Sequence, residues 1–239
     1  MNIVLFEESE LGRPLPEDDP RAVHICRVLK RGVGEPFDAG IVDGAIGKAT
    51  LVATGPGGLT LAFSWATSPA PLDPITLVVA LPRPQTARKI LQEAATLGVQ
   101  ALVFFGAERS EPSYGQSRLW SDGEWRRHLV DGAAQAFSTR LPAVRHAASL
   151  AEAVEAVRPP ARVIALDNYE AEGAASALLG RMPPPFVLAL GPERGWSAAE
   201  RTLLRDRGAA LAHLGSRVLR SETALCAAVT LAKVSLGTM

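Results

Sequence analysis

Three prolines within six residues, Pro69, Pro71 and Pro74, constrain this chain more than any other feature. Each fixes φ and removes a backbone donor, so the run predicts an extended linker that separates residues 1–70 from 71–239. The hydrophobic rhythm changes across it. Before the linker, short apolar pieces at 40–42, 49–53 and 59–63 alternate with turns such as Gly55-Pro56-Gly57-Gly58, which predicts a small antiparallel β-barrel or sandwich. After it, apolar runs at 75–81, 101–105, 163–166 and 186–190 alternate with helical stretches at 86–97, stopped by Gly98, and at 123–137, where Trp125, Leu129, Ala133 and Ala136 share helical spacing. Two further helices open on the capping-box pairs Ser149/Glu152 and Ser197/Glu200. The run at 186–190 is continuously apolar, as in a parallel strand buried on both faces. The second part is therefore an α/β domain with helices on both sides of its sheet.

The 239 residues suit one large or two smaller domains, on a prior of about 100–200 residues each. Hydrophobic residues make up 47% and charged residues 21%, a globular composition with no apolar run of bilayer length. The start, MNIVLFEESE, lacks the basic and then apolar character of a signal peptide, so a cytoplasmic, non-membrane protein is expected. Cys26 and Cys226 stand far apart without metal-ligand spacing, which favours two reduced, packed thiols and no metal. Formal charge is zero, so any nucleic-acid partner must be met by local clusters of Lys and Arg. Residues 1–70 hold 6 basic and 9 acidic side chains, and 71–239 hold 19 and 16.

The stretch LALGPERGWSAAE at 188–200 reads as strand, five-residue turn and capped helix. Such a turn lies at the C-terminal end of a strand, the edge where open α/β sheets bind ligands. It is neither a dinucleotide fingerprint nor a Walker loop, and Pro192 suits a stiff wall more than a cradle of amides. Alone, the motif fits a structural turn. A second strand-to-helix turn, LGSRVLRSETA at 214–224, changes that balance. Ser221 is placed to cap the last helix and Glu222 to favour its N-terminal dipole, but Arg217 and Arg220 have no such local role.

Together, LGPERG at 190–195 and LGSRVLRSETA at 214–224 resemble the paired C-terminal signature of the ribosomal RNA small subunit methyltransferase E family, in the SPOUT superfamily. The resemblance covers most of the chain. HICRVLKRGVGE at 24–35 resembles the family's N-terminal opening, and 94–99, 108–110 and 134–142 resemble its internal segments. It implies an N-terminal PUA-like β-barrel domain that binds RNA, at 1–70, and a C-terminal SPOUT α/β domain with a deep trefoil knot, at 71–239. It also implies a homodimer that methylates uridine N3 of small-subunit (16S) ribosomal RNA, free or in the assembled small subunit, from S-adenosylmethionine.

Carried onto this sequence, the resemblance assigns the cofactor to Leu166, Leu190, Gly191, Glu193, Gly195, Leu214, Gly215, Ser216, Val218 and Leu219. Catalysis would fall to Arg220, with Arg217 and Glu222. RNA contacts would draw on the basic run 21–31, with His24, Arg27, Lys30 and Arg31, and on Arg83 and Arg88 in the second domain. The chain departs from the family at Glu93, Thr96, Ala134, Ser138 and Arg194, mostly charged positions, so a SPOUT methyltransferase with another RNA target is an alternative. A non-catalytic RNA-binding assembly protein is the other.

Overall fold

The computed structural model describes residues 2–157 and 162–239. In chain order they form β1 (Val4–Phe6), α1 (Pro20–Val23), β2 (Pro36–Ile41), β3 (Ile46–Gly55), β4 (Gly58–Thr67), β5 (Asp73–Ala80), α2 (Pro84–Leu97), β6 (Val99–Phe105), α3 (Arg118–Ser121) and α4 (Glu124–Gln135). Then follow β7 (Ala143–Ala147), α5 (Leu150–Ala156), β8 (Val163–Leu166), β9 (Gly173–Ala174), α6 (Ala175–Leu179), β10 (Phe186–Leu190), α7 (Ala198–Asp206), β11 (Ala210–His213) and α8 (Ser221–Leu236). Two compact units result. One comprises the residues up to Pro71 with Val130–Leu141, the other Leu72–Leu129 with Pro142–Met239.

In the first unit β1 to β4 form a sheet in sequential order. It is mixed: β1 pairs parallel with β2, whereas β2, β3 and β4 are antiparallel hairpin partners. Among the described residues no ladder joins β4 back to β1, so the expected antiparallel barrel is an open sheet. The polar residues Glu7 to Glu10 follow β1 at once, and a strand of three residues is too short to close a barrel. Phe6, Ile25, Phe37, Leu51 and Leu59 build the core on one side. Ile3 and Leu5 pack with Ala133 on the other.

Residues 130–141, expected in the second domain, thus belong to the first unit. Thr139 donates to the Gly44 carbonyl at 2.7 Å, Leu141 N donates to Asp43 at 2.9 Å, and Ile3 N donates to the Ala134 carbonyl at 3.2 Å. Gly40 is small because Thr139 leans on it: a Cβ there would lie 2.4 Å from the Thr139 methyl. These contacts join residues about a hundred positions apart and leave no local periodicity.

The second unit is a seven-stranded parallel sheet, ordered β7-β6-β5-β10-β8-β11-β9. Val78, Val103, Val187, Ala165 and Leu211 face α5 and α7 in one core layer, while α2 and α8 cover the opposite face. Pro74 lies inside β5, contrary to the reading of the third proline as linker. Pairing with β6 skips from Asp73 to Thr76, an irregularity that accommodates the missing amide. Gly98 ends α2 in the left-handed region at φ 72°. In α4 Leu129 and Ala133 are buried as expected, but Ala136 is exposed because the helix ends at Gln135.

Both cysteines are free, but Cys26 is exposed rather than packed, because its neighbour Ile25 takes the core position. Among the described residues no helix is long and apolar enough to cross a membrane, and no cluster of three or more His, Cys, Asp or Glu is placed to hold a metal.

Candidate active site

Parallel pairing aligns β10, β8 and β11 so that Leu190, Leu166 and Ala212 stand in one row near their C-terminal ends. The turn after each strand therefore leaves the sheet at the same edge. Between these turns lies a cleft of about 220 Å³. Leu166, Leu190, Gly191, Glu193, Gly195, Leu214, Val218 and Leu219, eight of the ten positions assigned to the cofactor, line it; Gly215 and Ser216 are exposed and do not.

The wall at 191–195 is fixed from several sides. Trp196 is buried, stacks on Phe105 with centroids 6.1 Å apart, and donates its indole N–H to the Leu166 carbonyl at 2.9 Å. Gly191 permits this: a Cβ there would stand 3.0 Å from the Trp196 ring. Arg109 donates to the Arg194 carbonyl at 3.2 Å. Glu200 accepts from Ser197 N at 2.9 Å, completing the capping box of α7, and from Glu108 N at 3.0 Å.

The wall after β8 was largely missed in the sequence. Asp167, Asn168 and Tyr169 line the cleft there. The Asp167 side chain, 1% exposed, binds Arg201 at 2.5 Å and accepts from Tyr169 N and Glu170 N. Burial alone would raise the Asp167 pKa, but these donors outweigh it and hold it below the ordinary aspartate value. Asn168 donates to the Arg217 carbonyl at 3.0 Å, linking the turns after β8 and β11. A polar triplet directly following the apolar strand Val163–Leu166 was the available signal, as was the tryptophan directly after the GPERG turn.

A second hollow, of about 460 Å³, adjoins the first and shares Glu193, Val218, Leu219 and Ser221 with it. Arg220 and Glu222 line it, together with Arg83 and Lys89 from the start of α2. Arg217 lines neither hollow and is exposed. Glu222 binds Lys89 at 3.1 Å; its own backbone amide first, and Lys89 after it, outweigh burial and hold its carboxyl below the usual range. Glu193 accepts from Arg83 N at 3.2 Å. Among the described residues Arg220 makes no ion pair at contact distance, though its charge helps to hold the Glu222 carboxyl ionised. Ser221 does not cap α8: the capping position is Arg220, without a side-chain bond, and Ser221 is the first helical residue.

The other residues assigned to RNA are scattered. Arg88 pairs with Glu124 at 3.1 Å. In the first unit Arg27, Lys30 and Arg31 are exposed and His24 is half-buried. Arg21 is withdrawn from that basic run: it binds Glu10 and Asp19 at 2.7 Å each and lies over the Phe6 ring.

A cleft in which leucines and Val218 alternate with polar residues, beside a hollow bearing arginine and lysine, suits a nucleoside-like ligand next to an anionic one. Residues 68–233 match the model of an RNA methyltransferase domain family. The chain is 32% identical to the ribosomal RNA small subunit methyltransferase E of Treponema pallidum, covering 95% of this chain and 89% of that one. It is 24% identical to the enzyme called ribosomal RNA small subunit methyltransferase E 1 of Borreliella burgdorferi, covering 95% of each. Its fold resembles the crystal structure of a ribosomal RNA small subunit methyltransferase E from Neisseria gonorrhoeae bound to S-adenosyl methionine, with a TM-score of 0.77 over 98% of this chain and 97% of that one at 22% identity. On the extent of these matches, the chain belongs to the ribosomal RNA small subunit methyltransferase E family.

Proposed function

We propose that this protein transfers a methyl group from S-adenosylmethionine to N3 of a uridine in small-subunit ribosomal RNA. The observation that carries this reading is the common border of the two hollows: Val218 and Leu219 belong at once to a leucine-lined cleft at the sheet edge and to a hollow beside it that bears Arg83, Lys89 and Arg220. The cleft fits the cofactor. Its backbone turns and leucine walls suit an adenosine, and Gly191 keeps the wall close-packed against Trp196. When bound, S-adenosylmethionine supplies an electrophilic methyl group.

The chain's residues do the rest by placement and charge. Holding the two reactants at contact distance contributes up to about 7–11 kcal/mol. Uridine N3 retains its proton at neutral pH, so charge develops on the uracil oxygens as that proton leaves. Arg220, unpaired at the border, stabilises it. Glu222, ionised and held by Lys89, orients the cationic wall and, as a weak base, takes the N3 proton. Arg217 contributes through its backbone, which Asn168 holds. In the same reading the protein is a cytoplasmic homodimer whose second unit is knotted and whose first unit is a PUA-like RNA-binding domain with Arg27, Lys30 and Arg31 towards RNA.

Arg220→Ala tests the assignment. The expected result is S-adenosylmethionine affinity within about twofold of wild type by calorimetry, with methyl transfer to small subunits reduced about 100-fold or more. Unchanged single-turnover transfer removes Arg220 from the mechanism. Mapping small-subunit RNA after deleting and restoring the gene tests the target: loss and return of one N3-methyluridine is expected, and cofactor binding without transfer to any RNA or subunit would favour a non-catalytic assembly role.

A further inference from the structure

Arg194 is one of the positions at which this chain departs from the family its turns resemble, and the chemistry proposed above leaves it without a task. It lines the cleft. It stands third in the tight turn 192–195, closed by Gly195 N donating to the Pro192 carbonyl at 2.8 Å, with Gly195 in the left-handed region at φ 71°. Arg109 donates to the Arg194 carbonyl at 3.2 Å, and Trp196 is buried directly after the turn. The backbone that carries the guanidinium is therefore fixed, while the residue itself is exposed.

Charge sets this position apart. Sixteen described residues line the cleft; Asp167, Glu193 and Arg194 are the charged ones, and Arg194 alone is a cation. Asp167 is neutralised by Arg201 at 2.5 Å. Glu193 accepts from Arg83 N at 3.2 Å and has the Arg83 guanidinium 3.9 Å away. Among the described residues Arg194 makes no ion pair and its side chain makes no hydrogen bond. Its planar fork of donors fits a carboxylate, which it can bind through two parallel hydrogen bonds. The other nearby cations, Arg83, Lys89 and Arg220, line the adjoining hollow and not the cleft.

The cofactor turns this into an electrostatic requirement. S-adenosylmethionine carries a sulfonium and an ammonium against one carboxylate, so it is a net cation. An unpaired arginine in the cleft repels such a ligand unless the guanidinium meets the one anionic group that the ligand has. We propose that Arg194 binds the carboxylate of the cofactor's methionyl group, and so makes the cleft selective for a donor that carries its amino-acid tail. The leucine walls hold the nucleoside, and Arg194 reads the other end of the molecule.

The proposal rests on the cleft being the cofactor site and is independent of the RNA target. Calorimetry on the full chain with three ligands tests it. The first is S-adenosylmethionine. The second is its decarboxylated form, which keeps both positive charges without the carboxylate, and the third is methylthioadenosine, which has no amino-acid tail. Arg194→Ala is expected to weaken S-adenosylmethionine about tenfold, the scale of one hydrogen bond to a charged group. The same variant binds the decarboxylated form at least as tightly as wild type, because a repelling charge is gone, and binds methylthioadenosine unchanged. Arg194→Lys, which keeps the charge and loses the fork, retains part of the affinity for S-adenosylmethionine. Added salt narrows the gap between wild type and Arg194→Ala.

An unchanged S-adenosylmethionine affinity in Arg194→Ala, or a loss of the same size for all three ligands, overturns the proposal: the first takes the side chain out of the cleft, and the second makes it a packing residue. A loss specific to S-adenosylmethionine in Arg220→Ala, and absent in Arg194→Ala, assigns the carboxylate to the adjoining hollow and overturns it equally. Wild type that binds none of the three ligands would sink the cleft as a cofactor site, and the function proposed above with it.

Discussion

Asp167 and Arg201 form the most buried ion pair near the cleft, with side chains 1% and 10% exposed. Asp167 also holds the amides of Tyr169 and Glu170, so a single carboxylate sets the wall that Tyr169 crowns. Its folded-state pKa lies below the unfolded value. Its stabilisation is therefore complete above the ordinary aspartate pKa of about 3.9 and is lost as pH falls through the lowered folded value. Arg201→Met leaves that carboxylate buried without a counter-charge. We expect a loss of about 3–5 kcal/mol in urea unfolding at neutral pH, shrinking towards zero as acid protonates Asp167 in wild type. A deficit that stays constant with pH would place the role of Arg201 in packing. Residue identity gave no warning of this pair, because 34 positions separate its members.

At the scale of elements, α7 shows how a legible local signal acquires a tertiary task. The Ser197/Glu200 pair is a capping box in the sequence and in the structure. Glu200 also accepts from Glu108 N, which ties the segment after β6 to the helix that follows the cofactor turn. Ser197→Ala is expected to cost about 1 kcal/mol in thermal unfolding, the usual value of a cap. Glu200→Ala should cost more, since it leaves the buried Ser197 amide and the part-buried Glu108 amide without an acceptor; equal losses would mean that the Glu108 contact contributes nothing. Strands at 163–166 and 186–190 were legible because they are buried on both faces and therefore uniformly apolar. The edge strand β7, with Arg145 and His146 exposed, and the two-residue β9 were not, since neither carries a pattern of burial.

For the whole molecule, the decisive departure is the return of residues 130–141 to the first unit. Cutting the chain at Pro71 separates Ile3 and Leu5 from Ala133, and Gly40 from Thr139. The isolated fragment of residues 1–71 is expected to show poorly dispersed amide signals by nuclear magnetic resonance, with one apolar face of its sheet uncovered. A well-dispersed, cooperatively unfolding fragment would show that the returning segment adds little.

The sequence by itself determined the class of each part, the parallel sheet and the two glycine-bearing turns, because burial on both faces, proline geometry and helix capping are local and periodic. The resemblance to one family then pointed to eight of the sixteen residues that line the cleft. Tertiary structure alone decided that the first sheet stays open, that Arg21 serves the fold, that Asp167 and Trp196 brace the cleft, and that Trp120 meets His146 on an edge strand. Each depends on contacts between residues distant in the chain, whose free energy comes from excluding water and pairing buried charge in three dimensions, and such contacts leave no spacing to read.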